Sequence, residues 1–388
     1  VAYGQRAMIT NAIPTDLAGA VLSIDLAALQ ANYRFLCKKA GKAACGAAVK
    51  GNAYGLGIEP VARALWQAGC RDFFVARPKE GEDLRALLPG AVIYVLDGLF
   101  PRQAEFYARN DLRPALISLE EAQEWAAFGR RYGRALPCAI HVDTGINRLG
   151  LTLAQFDTLL ADGFLRSGLS ISLLMSHLAC ADDPPHPLNN TQMQRFRELR
   201  KKLPDVPASL ANSSGIFLGK DYTNDLCRPG IALYGGNPTP GRKNPMKAVA
   251  TLEGTVMQVR EVKKGDTVGY SATWKAPRDS RIAILGAGYK DGVPRHLSSR
   301  QKDGPAQVFV GGKRCPIVGR ISMDMMGVDV TALAPAKVQR GTPAEILGPH
   351  IDIEVAAGWA GTISYELLTR LGSRYARLYS GTANPGES

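Results

Sequence analysis

Lys50 is the side chain of this sequence best placed for covalent chemistry. It closes a run of small residues within ACGAAVKGNAYGLG (44–57), which delivers an ammonium into a stretch of Gly, Asn and Tyr. A strand ending at Lys50 would project the amine from its C-terminal end, while Gly51, Gly55 and Gly57 let the backbone turn sharply. Out of water, a lysine loses proton affinity and becomes a nucleophile or a base. Read alone, the stretch also describes a lysine that snorkels to solvent, so its meaning depends on what else converges on it.

Several other groups follow strand-like runs. Asp143, Thr144, Asn147 and Arg148 come after PCAIHV, His177 ends ISLLMSH, and Asn212, Ser213 and Ser214 come after PASLA. Arg228, Gly230, Ile231 and Tyr234 lie in LCRPGIALY. Ser213 to Gly215 can open a helix whose free N–H groups hold a phosphate, joined by the Gly230 and Ile231 amides. The five histidines, at 141, 177, 186, 296 and 350, form no metal-ligand pattern. No GxSxG elbow supports a serine triad.

The elements that must position these groups alternate. After the strand-like VLSID, Asp25 can cap a helix with Leu26, Leu29, Tyr33 and Leu36 on one face, closed by Gly41. Strand-like runs then recur at 44–50, 72–76, 91–96, 112–117, 137–142, 171–177, 207–211 and, more weakly, 226–234, with amphipathic segments such as 190–203 between them. Eight such repeats are the count for a (β/α)8 barrel of the TIM type. Periodicity alone does not separate that from a doubly wound open sheet. After residue 246 the runs become short, β-branched and Gly-punctuated, which predicts a second, predominantly β domain. The domain reading is an irregular arm at 1–20, a cofactor-binding barrel at 21–246 and a β domain at 247–388. The segment TISYELLTRLG predicts one late helix, and GTANPGES a frayed end.

The 388 residues carry 47 basic and 35 acidic side chains, a net charge of +12. The basic residues are scattered, with no stripe interleaved with aromatics, so the charge points to small anions rather than to nucleic acid. No apolar run reaches membrane-spanning length. Seven irregularly spaced cysteines indicate neither a disulfide framework nor a zinc site. No signal peptide is visible, and the expected location is cytoplasmic, provisionally, because the sequence begins at Val1.

A lysine and a phosphate site on one barrel mouth point to a phosphorylated aldehyde, pyridoxal 5'-phosphate, held as a Schiff base. The strings AVKGNAYGLG, HVDTGINRLG, MSHLACADD, LANSSG, CRPGIALYG, TVGYSATW, GAGYKDGVPR, VGRISMDMM and TISYELL resemble, in order and spacing, the successive motifs of alanine racemases. The resemblance runs from about residue 21 to 380.

The resemblance implies a homodimer with the active site shared across the interface. Lys50 takes the cofactor lysine's position and Tyr270, from the partner subunit, that of the opposing base. Inverting a stereocentre needs a proton donor and an acceptor on opposite faces, so the pair makes chemical sense. A phenol has a reference pKa near 10, and His177 and Arg228 resemble a hydrogen-bond chain that would help the tyrosine act as a base. Arg228 also matches the arginine facing the cofactor's ring nitrogen. Tyr54, Ser213, Gly230, Ile231 and Tyr365 align with the phosphate-binding set. Arg148 and Met323 correspond to substrate-carboxylate binders, and Asp182, Tyr289, Arg295, Arg320 and Ile363 to the lining of a narrow access corridor. The implied substrate is alanine, interconverted between L and D forms to supply D-alanine for peptidoglycan. The alternative is a broad-spectrum racemase of serine or basic amino acids on the same scaffold.

Three positions depart from the family pattern. His141 stands where many members have a carbamylated lysine, Asn147 where many have glycine, and Ser322 where a cysteine is common. A neutral histidine cannot replace an anionic carbamate, so the Asn147 side chain or a bound anion such as chloride is expected to orient Arg148. Barrel-type decarboxylases, the rival enzyme class, would show a HxGK-type phosphate signal and a catalytic cysteine that this sequence lacks. A single-domain pyridoxal-phosphate carrier would have no need of the β domain.

Overall fold

The computed structural model describes residues 13–298 and 304–381. Most of the arm expected at 1–20, and the terminal residues 382–388 read as frayed, lie outside the described residues.

The first helix, Leu26–Ala40, forms as its spacing predicts. The Asp25 carboxylate accepts the Ala28 amide at 2.9 Å, Leu26, Leu29, Tyr33 and Leu36 are buried, and Gly41 leaves the helix at φ +71°. The strand before it departs from its place in the sequence order. Ala20–Asp25 pairs antiparallel with Ala250–Val262 and parallel with Ala376–Ser380, so residues 20–25 lie in the sheet of the β domain. An alternating strand with one buried face needs a sheet, and periodicity does not say which one.

Eight parallel strand positions follow. They are a first strand split at Gly46 (Ala44–Cys45 and Ala47–Ala48), then Asp72–Val75, Val92–Val95, Leu112–Leu116, Leu136–His141, Leu169–Met175, Ala208–Ser209 and Leu226–Cys227. The last strand returns to the first, pairing Leu226 with Ala44 and Cys227 with Cys45. The Asp225 and Arg228 amides donate to the Ala208 and Ala211 carbonyls at 3.0 and 2.9 Å, joining it to its other neighbour. The sheet is thus closed, which decides for the barrel against the open sheet. Of LCRPGIALY only the first two residues are strand; Ile231–Tyr234 is a 3-10 turn, because Pro229 has no amide to give a ladder.

In the β domain the sheet order is Ser280–Leu285, Met326–Asp329, Lys313–Val318, Gln307–Val310, Pro343–Leu347 and Ala250–Val262, and the last pairs back onto the first. Two irregularities, at Val256/Gln258 and Leu252/Glu253, let the long strand serve both neighbours. The late helix expected within TISYELLTRLG forms as Ser364–Thr369, and a further helix that the sequence reading did not single out, Ile353–Ala360, precedes it across Gly361 at φ +66°. Among the described residues no helix is long and apolar enough to cross a membrane.

Candidate active site

The backbone beyond Lys50 turns left-handed. Gly51, Asn52 and Ala53 have φ/ψ of 63/41°, 56/49° and 54/54°, and Tyr54 has φ 55°. Each non-glycine residue in that region costs roughly 1–2 kcal/mol, so surrounding bonds must hold the turn. The Val49 carbonyl accepts the Ala53 amide at 2.8 Å, the Asn52 side chain accepts the Ile58 amide at 2.8 Å, and Glu80 Oε1 accepts the Gly51 amide at 2.6 Å. From the last strand, Arg377 donates to the Gly55 carbonyl at 2.6 Å and Tyr379 Oη to the Leu56 carbonyl at 2.8 Å. The turn buries Tyr54 against Tyr234, ring centroids 4.6 Å apart, while Lys50 remains on the wall of a cavity.

That cavity, about 830 Å³, opens at the C-terminal ends of the barrel strands, where Lys50, Arg148, His177 and Arg228 line it. Burial, then the Arg148 charge, holds the Lys50 ammonium below its ordinary pKa, which favours a free amine. Arg228 is buried, and among the described residues no carboxylate forms an ion pair with it. Its guanidinium donates to the Ser209 carbonyl at 2.8 Å, to Ser209 Oγ at 2.5 Å and to the Ser176 carbonyl at 2.5 Å, and burial lowers its pKa to about 10. It remains a cation at neutral pH.

Two histidines share these walls and are kept neutral. Burial, then Arg228 and Arg148, push His141 down to about 4, and burial with the same cations pushes His177 well below the usual range. Neither ring nitrogen of buried His141 has a hydrogen-bond partner among the described residues. Two orphaned polar atoms facing a cavity call for water or a ligand. The hydrogen bond expected between His177 and Arg228 is absent among the described residues; Arg228 Nη1 and Nη2 donate instead to Ser209 and Ser176.

At another part of the wall the chain is built for an anion. Ser213 Oγ accepts the Gly230 amide at 2.9 Å and the Ala232 amide at 3.2 Å. With both lone pairs taken, its proton is left to donate. The Ile231 amide opens a 3-10 turn and has no acceptor within that turn. A Cβ on Gly230 would lie 2.2 Å from Tyr54 Oη, so only glycine lets the two approach. Ser213, Gly230, Ile231, Tyr54 and Tyr365 all line the Lys50 cavity. The donor set, the glycine cradle and the orphaned histidine fit a phosphorylated aldehyde: an amine for the carbonyl and hydroxyl and amide donors for the phosphate.

Of the remaining expected residues, all but Ile363 are elsewhere in this chain. Tyr270, 70% exposed, shares a separate depression on the β domain with Arg320 and Ser322. Tyr289 and Met323 sit on adjoining loops, where the Tyr289 and Lys290 amides donate to the Ser322 and Met323 carbonyls at 3.1 and 3.0 Å. Asp182 and Arg295 are exposed, and Ile363 lines the cavity mouth. Among the described residues no group of His, Cys, Asp or Glu is placed to hold a metal.

Sequence reasoning missed Glu80. Its Oε2 accepts the Ala76 and Arg77 amides at 2.9 and 3.1 Å while Oε1 holds Gly51, so one carboxylate ties a helix start to the lysine turn. Pro at the first helical position followed by Glu at the third, in RPKE, is the signal that was legible. Arg377 and Tyr379 carried no comparable signal, being more than 320 residues from the turn they hold.

Comparison with known proteins gives the same reading of both halves. The family model "Alanine racemase, N-terminal domain" matches residues 24–238, and "Alanine racemase, C-terminal domain" matches 249–379. The chain is 49% identical over 365 residues to an alanine racemase of Methylobacterium nodulans, covering 94% of this chain and 97% of that protein. It is 44% identical over 376 residues to one of Brucella abortus, covering 93% and 94%. Among solved structures, the alanine racemase of Bartonella henselae with covalently bound pyridoxal phosphate superposes with a TM-score of 0.88 at 41% identity, over 94% of this chain and all of that one. The biosynthetic alanine racemase of Pseudomonas aeruginosa gives 0.85 at 34% identity, with the same coverage. With both domains matched in order and nearly the full length aligned, this chain belongs to the alanine racemase family.

Proposed function

We propose that this chain interconverts L- and D-alanine, using pyridoxal 5'-phosphate held in the Lys50 cavity. The observation that carries the reading is the pairing of a desolvated Lys50 with a Ser213 hydroxyl that has only its proton left to give, on the walls of one cavity. When bound, the cofactor supplies the electron withdrawal that acidifies the substrate's Cα–H.

The side chains do the rest. Lys50 anchors the cofactor, and its Nζ takes or returns the α-proton on one face. Tyr54, Ser213, Tyr365 and the Gly230 and Ile231 amides bind the phosphate. Arg228, cationic and buried, faces the cofactor ring and keeps its nitrogen unprotonated, since a neighbouring like charge lowers a pKa. Arg148 holds the substrate carboxylate.

A second copy of the chain completes the site: its Tyr270 Oη serves as base on the opposite face, and its Met323 amide joins Arg148 on the carboxylate. Supporting this, Tyr270, Met323 and Ile363 are 70%, 51% and 60% exposed in the single chain, large side chains that an interface would cover. His177 tunes the tyrosine as a neutral ring. Asp182, Tyr289, Arg295, Arg320 and Ile363 line the access corridor. The barrel, residues 26–246, carries the cofactor and the β domain the opposing base. With no carbamate possible at His141, a chloride beside Asn147 orients Arg148; Asn147, at φ 54°, sits on the tight loop that carries it. The D-alanine formed serves peptidoglycan synthesis, in the cytoplasm.

The test is decay of circular dichroism of L-alanine with purified protein and added cofactor, with L-serine, L-lysine and L-arginine in parallel. Fast decay for alanine alone is expected. Comparable decay for the larger substrates would move the reading to a broad-spectrum racemase, and no decay in any sample would sink it.

A further inference from the structure

Arg374, just before the last strand, ties together the two loops of the β domain that carry Tyr289 and Met323. Its Nε and Nη2 donate to Asp291 Oδ1 and Oδ2 at 2.7 and 3.0 Å, and its Nη1 donates to Asp324 Oδ1 at 2.8 Å. The Asp291 half is a two-pronged pair on a residue only 4% exposed. That carboxylate also accepts the Gly288 amide at 3.0 Å, and the Asp291 carbonyl accepts the Gly372 amide at 3.0 Å. Asp291 thus anchors the guanidinium, and the remaining nitrogen reaches across to Asp324.

The loop that contains Asp324 is held so that one peptide faces a set direction. Ser322 closes it on Met325, its amide and its Oγ both donating to the Met325 carbonyl at 2.9 Å. The Ser322 carbonyl accepts the Tyr289 amide at 3.1 Å, and the Met323 carbonyl accepts the Lys290 amide at 3.0 Å. A Cβ on Gly288 would lie 2.4 Å from the Met323 carbonyl oxygen and 2.5 Å from the Asp324 nitrogen, so only glycine lets the loops meet. The Ser322–Met323 peptide is planar, so the bond that holds its carbonyl also sets the direction of the Met323 N–H. That amide donates to no acceptor among the described residues, and Met323 is 51% exposed.

We propose that Arg374 is a positioning residue for the substrate carboxylate. By holding Asp324 against Asp291 it fixes the Met323 amide that this chain offers to the Lys50 cavity of a second copy. The inference rests on the proposed function, in which that amide and Arg148 share the carboxylate. The proton moves at Cα and the carboxylate keeps its charge, so this contact is equally strong before and during the reaction. Loosening it raises KM and spares kcat.

The experiment measures L-alanine racemisation, and its competitive inhibition by acetate, a carboxylate without an amino group, in cofactor-loaded wild type, Arg374→Met, Arg374→Lys and Asp324→Ala. Arg374→Met is expected to raise KM and the acetate Ki in parallel, about tenfold, with kcat within about twofold of wild type. Arg374→Lys can keep one of the bonds and should recover part of the loss. Asp324→Ala leaves the Asp291 pair intact and should still raise both constants; it decides the matter if Arg374→Met fails to fold. An unmoved KM in Asp324→Ala, a lowered kcat at unchanged KM, or a KM that rises while acetate inhibition does not would each overturn the inference alone. A wild type inactive on alanine would sink the proposed function, and this inference with it.

Discussion

Arg377 Nη1 donates to the Gly55 carbonyl at 2.6 Å, fastening the last strand of the chain to the end of the left-handed turn that begins at Lys50. Arg377 is 7% exposed, and its guanidinium's other bond, 3.2 Å, goes to the Gly372 carbonyl. A buried cation spent on carbonyls stabilises a backbone that would otherwise relax to right-handed geometry. Arg377→Met should cost about 2–3 kcal/mol by leaving carbonyls unpaired, and should weaken cofactor binding at least tenfold; Arg377→Lys should lose less of both. Thermal unfolding of cofactor-free protein and absorbance titration with pyridoxal phosphate measure the two. Unchanged cofactor affinity in Arg377→Met would show that the clamp does not position Lys50.

Gly230 faces Tyr54 at a distance no side chain tolerates. A methyl group there meets the phenol oxygen at 2.2 Å and Cζ at 2.9 Å. Gly230→Ala should therefore displace Tyr54 and weaken cofactor affinity about tenfold, or about 1.4 kcal/mol. Tyr54→Phe removes the nearer atom, so the double variant should bind better than the sum of the single losses predicts. Strict additivity in that cycle would mean that the two residues contribute separately.

The barrel and the β domain were legible because their hydrophobic periods differ, and Asp25 and Gly41 marked their helix without help from tertiary contacts. What was hidden depends on partners distant in sequence. The pattern of VLSID fits any half-buried sheet, and its partners lie at 250–254 and 376–380. Glycines announced a turn after Lys50, but Ala53 and Tyr54 do not favour positive φ, and bonds from Glu80, Arg377 and Tyr379 are what hold them there. Lys50, Arg228 and the Ser213 loop could be gathered from strand ends alone. Tyr270 could be tied to them only by family resemblance, since it lines a different depression of its own chain.

The two buried histidines set the acid side of the stability profile. His141 is held at about 4 against an unfolded value near 6.5. Because the folded form resists protonation, its contribution is fully present above about pH 6.5 and is lost as pH falls towards 4. From about pH 7.5 to pH 5 the loss assignable to His141 is about 2 kcal/mol. His177, depressed in the same direction, adds to it. Urea unfolding of the cofactor-free protein at the two pH values should show a smaller acid loss in His141→Asn than in wild type. Equal losses in both proteins would contradict the assignment.

Asn52 provides a test of the left-handed turn that does not depend on the cofactor. It is exposed, has φ 56° and accepts the Ile58 amide through its side chain at 2.8 Å. In a right-handed helix alanine is about 1 kcal/mol better than glycine, so the ordinary ranking there would be Asn52→Ala above Asn52→Gly. At positive φ the ranking inverts, because glycine enters that region without the Cβ clash that costs alanine roughly 1–2 kcal/mol. Both variants lose the bond to Ile58, worth about 1 kcal/mol, so their difference isolates the backbone. Asn52→Gly should unfold at a higher temperature than Asn52→Ala, although the chain reads as helical by its hydrogen bonds. The opposite order would mean that the turn relaxes when its side-chain bond is cut, and that Lys50 is held by the strand before it rather than by the turn after it.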